Sequence, residues 1–195
     1  MNASEEIQQQ LKKYINRYIP FSDQETTSFL KHIELNTYLR KEVLLNTNQI
    51  CKQHFFIISG LLRAHYISEK GTDKIIQFAL ENWWITNLES YVRETPSTFT
   101  IDALEYSTIL SISKEKLELA FIEIPKLERL FRIISENTLV AIQRKNEFYM
   151  KLNSKERFMT LLESIPDFLQ RVPMYMIASY LDITPEYLSE IRKKL

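Results

Sequence analysis

The sequence predicts an α+β protein in which a β-rich segment lies between helical segments. Short runs of branched and aromatic residues, typical of strands, are confined to residues 33–113. On either side of them apolar residues recur every three or four positions, which is the period of a helix. The chain has 195 residues, 45% of them hydrophobic, enough to bury a real core. We expect three regions: residues 1–113, residues 114–152 and residues 153–195.

The first region begins with two predicted helices. Apolar residues at helical spacing run from Ile7 to Tyr18, and Pro20 interrupts them. Ser22 can then cap a second helix, and Glu25, three residues later, completes a capping box. We therefore expect helix up to about residue 32.

Six strand-like runs follow these helices: VLLNT, HFFIIS, LLRAHYIS, KIIQFAL, FTIDAL and STILSIS. They are short and separated by turn residues, which predicts an antiparallel sandwich or barrel. The only two glycines, Gly60 and Gly71, lie at strand junctions, and the sequence around Gly71 is typical of a hairpin turn. Asn46, Asn48 and Asn82 can supply positive φ at other turns, because asparagine tolerates that conformation.

The middle of the C-terminal half predicts one long helix. Ser113 precedes a short helix, and Pro125 opens the long one. Its main apolar stripe includes Leu127, Leu130, Ile134, Ala141 and Phe148. A second apolar face runs beside that stripe, so the helix needs two surfaces to pack against. We expect its own β-rich domain on one side and a second copy of the chain on the other, and we assign the five stripe residues to this dimer helix. The alternative is a core helix in a monomer.

Residues 174–195, MYMIASYLDITPEYLSEIRKKL, predict two short helices that cross at a tight turn. Ala178 supplies the small residue where the helices pass closely. Asp182 stands where the turn needs a left-handed residue, a place usually taken by glycine. Thr184 can cap the second helix, and Pro185 suits its first position. These features predict a helix-turn-helix, preceded by a helix that starts at Asn153-Ser154 and that Pro166 ends.

The second helix of this motif is the predicted recognition helix, whose first residues would face base edges in the major groove of DNA. The candidates for base contacts are Thr184, Pro185, Glu186, Ser189 and Glu190. The candidates for phosphate contacts are Arg192, Lys193 and Lys194. The other interpretation is an ordinary helical hairpin that ends in a solvated run of charges.

Composition argues against several function classes. The 25 basic and 25 acidic residues cancel, so bulk charge does not indicate nucleic acid. Cys51 is the only cysteine, which excludes a disulfide or a cysteine-held cluster within one chain. We find no nucleophile motif, metal-ligand spacing or Gly-rich phosphate loop, and therefore expect no enzyme, no cofactor and no metal. The polar N-terminus and the lack of a long apolar run predict a cytoplasmic protein that binds no membrane.

Taken together, these segments resemble the bacterial cAMP receptor protein/FNR (Crp/Fnr) family of transcription regulators over nearly the full length. The segments that show this resemblance are HFFIISGLLRAHYISEKGTDKIIQFAL, SKERFMTLLESIPDFLQRVP and IASYLDITPEYLSEIRKKL. The resemblance implies a cyclic-nucleotide-binding-like β-roll, a homodimer through the long helix, and a winged helix-turn-helix that binds duplex DNA. RNA polymerase is a further candidate partner. The given residues end at Leu195, directly after the recognition helix, so the wing that the resemblance implies is either missing or lies beyond these residues.

The sequence departs from the family in its ligand pocket. The resemblance implies a glutamate that anchors the ribose and an arginine that neutralises the cyclic phosphate, and neither charge is kept here. The corresponding positions are Trp84, Thr86 and Asn87, then Ser97, Thr98 and Phe99. We interpret Trp84, Asn87, Ser97 and Thr98 as a degenerate ligand pocket, although Trp84 is more typical of core.

Two functional hypotheses follow. The first is a sequence-specific DNA-binding transcription regulator that does not respond to cyclic nucleotides and whose small-molecule effector, if it has one, is unidentified. The alternative is an interaction module of the same fold that acts through protein contacts without binding DNA.

Overall fold

The computed structural model describes residues 3–165 and 167–194, which form two compact units. Unit 1 comprises the residues up to 64 together with 78–136, and unit 2 comprises 65–77 together with the residues from 137 onward. The expected boundaries at residues 113 and 152 do not coincide with this division. The reason is that one long helix runs from the first unit into the second, and that a hairpin tip belongs to the second.

The helices are α1 (Ala3–Ile15), α2 (Asp23–Leu30), α3 (Leu88–Arg93), α4 (Lys114–Glu123), α5 (Lys126–Lys151), α6 (Ser154–Ser164), α7 (Phe168–Arg171), α8 (Met174–Tyr180) and α9 (Pro185–Lys193). The strands are β1 (Glu34–Tyr38), β2 (Val43–Leu45), β3 (Gln53–Ser59), β4 (Leu62–Ile67), β5 (Asp73–Ala79), β6 (Trp84–Ile85), β7 (Thr100–Ala103) and β8 (Ser107–Ser113).

The strands form two four-stranded sheets, in the orders β1-β8-β3-β6 and β2-β7-β4-β5. In the first sheet β8 pairs antiparallel with both neighbours, so that Leu110 lies opposite Leu35 of β1 and Phe56 of β3. The predicted α+β fold with an antiparallel β-roll is confirmed. All six predicted strand segments are strands, whereas β1, β6 and the short helix α3 lie in stretches for which no element was predicted.

The core of unit 1 joins the first sheet to the flanking helices. Phe56 and Leu110 of the sheet pack with Phe29 of α2 and with Leu127 and Leu130 of α5, each of them 2% exposed or less. The predicted capping box is present: Ser22 Oγ accepts from the Glu25 amide, and the Glu25 carboxylate accepts from the Ser22 amide. The N-terminal helices are therefore part of the unit that contains the first sheet.

Positive φ angles occur at the predicted turns. Gly60 has φ +102 and Gly71 has φ +74, while Asn48 and Asn82 have φ 67 and 66. Asn46, which we also expected to adopt positive φ, does not. Gly60 is needed for a second reason, because a Cβ there would lie 2.2 Å from the Ser107 hydroxyl oxygen.

The long helix α5 has two different halves. Leu127 and Leu130 are completely buried in the core of unit 1, and Ile134 packs against that core. The expectation that Leu127 and Leu130 contact a second copy is therefore wrong, since neither has free surface. From residue 135 to residue 144 every side chain is exposed, Ala141 included. Phe148 is partly buried.

Unit 2 contains a helical core. The buried residues of α6 to α9 are Phe158, Phe168, Met176, Ile177, Ala178, Leu188 and Ile191, with Val172 and Leu181 in the connections. Asn153 caps α6 and forms a capping box with Glu156. Pro166, predicted to end this helix, and Leu195 lie outside the described residues. Over the described ranges, no helix is long and apolar enough to cross a membrane.

Candidate functional site

The helices α8 and α9 form a helix-turn-helix, as the sequence predicts. Ala178 is fully buried, and its carbonyl accepts a hydrogen bond from the Ile183 amide over 3.0 Å. Asp182 has φ 55, so the chain makes its left-handed step at the predicted residue without a glycine. Leu181 and Leu188 are completely buried and hold the two helices together.

The start of α9 is fixed by its cap. Thr184 is extended, and its hydroxyl accepts a hydrogen bond from the Tyr187 amide over 3.2 Å, while Pro185 occupies the first turn. Because the cap satisfies one of the free amides and Pro185 has no amide hydrogen, the first turn can face outward with little unpaired backbone. The predicted base-contacting residues are all exposed: Thr184, Pro185, Glu186, Ser189 and Glu190.

The charge on this face is mixed. Glu186 and Glu190 lie on the first two turns, and the exposed cations Arg192, Lys193 and Lys194 lie at the end of the helix. Such an arrangement can bind phosphates only near the C-terminal end of α9, because carboxylates repel a phosphate backbone. Sequence reasoning missed Tyr187, which is 48% exposed on the same helix. The available signal was the helical period: Leu188 is an inward-facing position, so its neighbour Tyr187 points in another direction.

The residues of the degenerate pocket are only partly brought together. Asn87 caps α3 by accepting from the Ser90 amide, and its own amide group donates to the Ser97 hydroxyl over 2.8 Å. The Ser97 hydroxyl in turn donates to the Phe99 carbonyl over 2.6 Å. Asn87 and Ser97 are 5% and 1% exposed. The polar groups of Asn87 and Ser97 are therefore hydrogen-bonded within the protein, whereas Thr98 is exposed to solvent.

Trp84 lies elsewhere, in an aromatic cluster of unit 1. Its ring centroid is 5.1 Å from that of Phe56 and 5.4 Å from that of Phe131, so the partly buried Trp84 packs against the core. His54 sits beside it, with its ring centroid 4.2 Å from that of Tyr91. Burial lowers the pKa of His54 to about 4, which keeps the imidazole neutral at physiological pH.

An ion pair that sequence reasoning missed lies between neighbouring strands of the second sheet. The Arg63 guanidinium donates to both carboxylate oxygens of Asp102, over 2.8 and 3.1 Å, and both residues are buried. A paired, hydrogen-bonded arginine of this kind is already neutralised. No group of three or more His, Cys, Asp or Glu side chains that could hold a metal occurs in the part of the chain that the structure describes.

Comparisons with known proteins agree with this architecture. The cyclic nucleotide-binding domain family matches residues 35–122. The c-di-GMP-responsive global regulator CLP of Xanthomonas campestris is 14% identical, with a TM-score of 0.71 over 89% of this chain and 91% of that one. FixK2 from Bradyrhizobium japonicum is 15% identical, with a TM-score of 0.71 over 84% of each chain.

The Thermus thermophilus catabolite activator protein is 12% identical, with a TM-score of 0.56 over 90% of this chain and 84% of that one. A search of curated proteins finds no match. Likeness at such low identity shows the fold, and this fold contains both the two-sheet domain and the terminal helices.

Proposed function

We propose that this chain, which carries a cyclic nucleotide-binding domain and has the fold of Crp/Fnr-type regulators, binds duplex DNA as a homodimer and regulates transcription. The observation that carries the proposal is the helix-turn-helix whose second helix is capped at Thr184 and exposes its predicted recognition face. A recognition helix reads bases with its N-terminal residues, so this face has the form that major-groove binding needs.

The exposed middle of α5 supports a dimer. Residues 135–144 are exposed, and among them Leu139 is 59%, Val140 42% and Ile142 52% exposed. These three side chains lie within one turn of the helix, and soluble monomers rarely leave adjoining large apolar side chains in water. A second copy packed along α5 would cover it, and would also place two recognition helices about a two-fold axis.

The Asn87–Ser97 network supports a regulator that does not respond to cyclic nucleotides. Each of these side chains already has a partner, and neither carries the charge that a ribose or a cyclic phosphate would need. CLP responds to c-di-GMP, so that nucleotide belongs among the probes for this chain. No effector is part of the proposal.

A second candidate function is an interaction module that acts through protein contacts. The observation that favours it is the pair Glu186 and Glu190, which places two negative charges on the face that DNA would meet. Basic side chains outnumber acidic ones only modestly nearby, with five against two from Ala141 to Arg157. A dimer carries this excess of positive charge twice. For that reason we favour DNA binding over protein contacts.

The test is selection from a random duplex library with the purified full chain at low salt, followed by mobility-shift titration against a scrambled site. We expect a two-fold symmetric site with half-sites about 34 Å apart, one helical turn of DNA. Enrichment of a single asymmetric half-site would support DNA binding and contradict the dimer. If no sequence is enriched and all duplexes bind equally weakly, the interaction-module hypothesis takes the place of the regulator.

A further inference from the structure

Ser179 of the helix-turn-helix forms hydrogen bonds with the outer edge of β5. Strand β5 stands last in its sheet, so one row of its backbone groups faces away from β4. The Ser179 hydroxyl, near the end of α8, accepts from the Ile75 amide over 3.1 Å and donates to the Asp73 carbonyl over 2.8 Å. One side chain thus bonds with both kinds of group that an edge strand offers.

Neighbouring contacts extend this attachment. Lys74 Nζ lies 2.9 Å from Asp182 Oδ1, and Asp182 is the left-handed residue of the helix-turn-helix turn. Lys145 of α5 donates from Nζ to the Ile76 carbonyl over 2.6 Å and lies 4.6 Å from the Tyr180 ring centroid. We call this set of contacts, made by residues 73–76 with Lys145, Ser179, Tyr180 and Asp182, the clasp.

The clasp leaves the predicted recognition face open. It binds the last turn of α8 and the following turn, while Thr184, Glu186 and Glu190 of the adjoining helix remain exposed. Helices α8 and α9 share buried side chains at Ala178 and Leu188, so they move together. Whatever fixes the end of α8 therefore also fixes the direction of α9.

We propose that Ser179 and Lys74 are positioning residues for DNA binding, which hold the helix-turn-helix against the β4–β5 hairpin tip so that α9 keeps one orientation. This inference rests on the proposed function. A dimer reads two half-sites at a fixed separation, so only molecules with both recognition helices in place bind well. Loosening the clasp lowers the fraction of molecules whose recognition helices are placed for binding. The apparent Kd for DNA rises in inverse proportion to that fraction.

The first arm of the test measures the clasp without DNA. Amide hydrogen exchange of Ile75 is compared in the full chain and in Ser179→Ala, with Ser164→Ala as the matched control, because the exposed Ser164 hydroxyl donates to the Thr160 carbonyl within its own helix. We expect Ser179→Ala to speed exchange of the Ile75 amide about tenfold, from the loss of two hydrogen bonds. Ser179→Thr, which keeps the hydroxyl, should restore protection.

The second arm measures affinity for the selected duplex. We expect Ser179→Ala to weaken binding about tenfold and Lys74→Ala about threefold, with base preference unchanged. Lys70→Ala, an exposed lysine of the same hairpin, is the charge-matched control and should change affinity much less. The slope of log affinity against log salt should stay the same for Lys74→Ala, whereas loss of a direct phosphate contact would lower it by about one unit.

These outcomes separate the two proposals. If the wild-type protein binds no duplex, the proposed function and the positioning role both fall. If the wild-type protein binds DNA but Ser179→Ala changes neither Ile75 exchange nor affinity, the positioning role alone is overturned. A lowered salt slope in Lys74→Ala would make Lys74 a DNA contact instead. Should Ser179→Ala fail to fold by circular dichroism, Lys74→Ala and Ser179→Thr still decide the question.

Discussion

The amide group of Asn87 donates a hydrogen bond to the hydroxyl of Ser97, 2.8 Å away, at the place where the family resemblance puts the ribose- and phosphate-binding charges. Asn87 Oδ1 also accepts from the Ser90 amide, and Ser97 also bonds to the Phe99 carbonyl. The side-chain oxygen and nitrogen of Asn87 and the hydroxyl of Ser97 are therefore all hydrogen-bonded within the fold. Any ligand at this place would have to break hydrogen bonds that are already satisfied.

We accordingly expect no useful affinity for cAMP or cGMP. A cyclic phosphate buried beside Ser97 would lack a cation, at a cost of roughly 2–5 kcal/mol, or about two to three decades of affinity. Isothermal calorimetry with millimolar nucleotide should show no saturable heat. Micromolar binding would contradict this expectation and would require another cation, such as exposed Arg93, to have replaced the missing one.

The dimer prediction concerns the exposed middle of α5. Ile142→Glu should shift the protein toward monomer, because it puts a charge into the apolar surface that a second copy would cover. Sedimentation at micromolar concentration should give twice the chain mass of 23.3 kDa for the wild type. Met150→Glu, at a side chain that is 87% exposed near the end of the same helix, is the control. A wild-type monomer at high concentration would contradict the prediction.

On α9 we expect two classes of DNA-binding variant. Arg192→Ala and Lys193→Ala should weaken binding to all sequences alike and lower the salt slope by about one unit per lost phosphate contact. Ser189→Ala and Glu190→Ala should instead change the preferred base, by about 1–3 kcal/mol per contact. Mobility shifts on the selected site and its single-base variants separate the classes. Arg129→Ala, an exposed arginine of unit 1, should leave both properties unchanged.

His54 should make the stability of the protein depend on pH. Burial lowers the pKa of His54 in the folded protein from 6.5 to about 4, so between these values the unfolded chain binds the proton and the folded protein does not. The contribution is fully present above pH 6.5 and is lost as the pH falls toward 4. We expect about 1–2 kcal/mol less stability at pH 5 than at pH 7. Urea denaturation measures it, and His54→Phe should flatten this part of the profile.

The two glycines should differ in their tolerance of alanine. Gly60→Ala should cost more than about 2 kcal/mol, because the new Cβ would meet the Ser107 hydroxyl at 2.2 Å in addition to the unfavourable φ of +102. At Gly71 nothing lies within 4 Å of a new Cβ, so only the φ of +74 opposes alanine, at about 1 kcal/mol. Chemical denaturation of both variants gives the comparison; equal losses would contradict the role of Ser107.

Much of the fold could be predicted from local signals in the sequence. The caps at Ser22, Ser113 and Asn153 and the left-handed step at Asp182 are where the sequence puts them, because each depends on a few adjacent residues. The short helix α3 was missed, since six residues give too little periodicity to recognise. Its capping residue, Asn87, was available as a signal.

Long-range partnerships were harder to predict. One stripe along α5 joins Leu127 and Leu130 to exposed Ala141, although the first two residues pack in the core of unit 1. Periodicity shows that a face is apolar and does not show what covers it. Similarly, nothing in the local sequence links Arg63 to Asp102 or Ser179 to Ile75, because each pair is brought together by folding alone.

The joint core of unit 1 bears on how this protein can be divided. The matched domain family spans residues 35–122, yet Leu11, Phe29 and Leu130 lie outside that span and fill the same interior as Phe56 and Leu110. A fragment cut at those limits would leave the apolar side of β3 and β8 in water. An independently soluble β-roll fragment must therefore begin with α1 and continue into the first turns of α5, so sequence-family limits are a poor guide for truncation here.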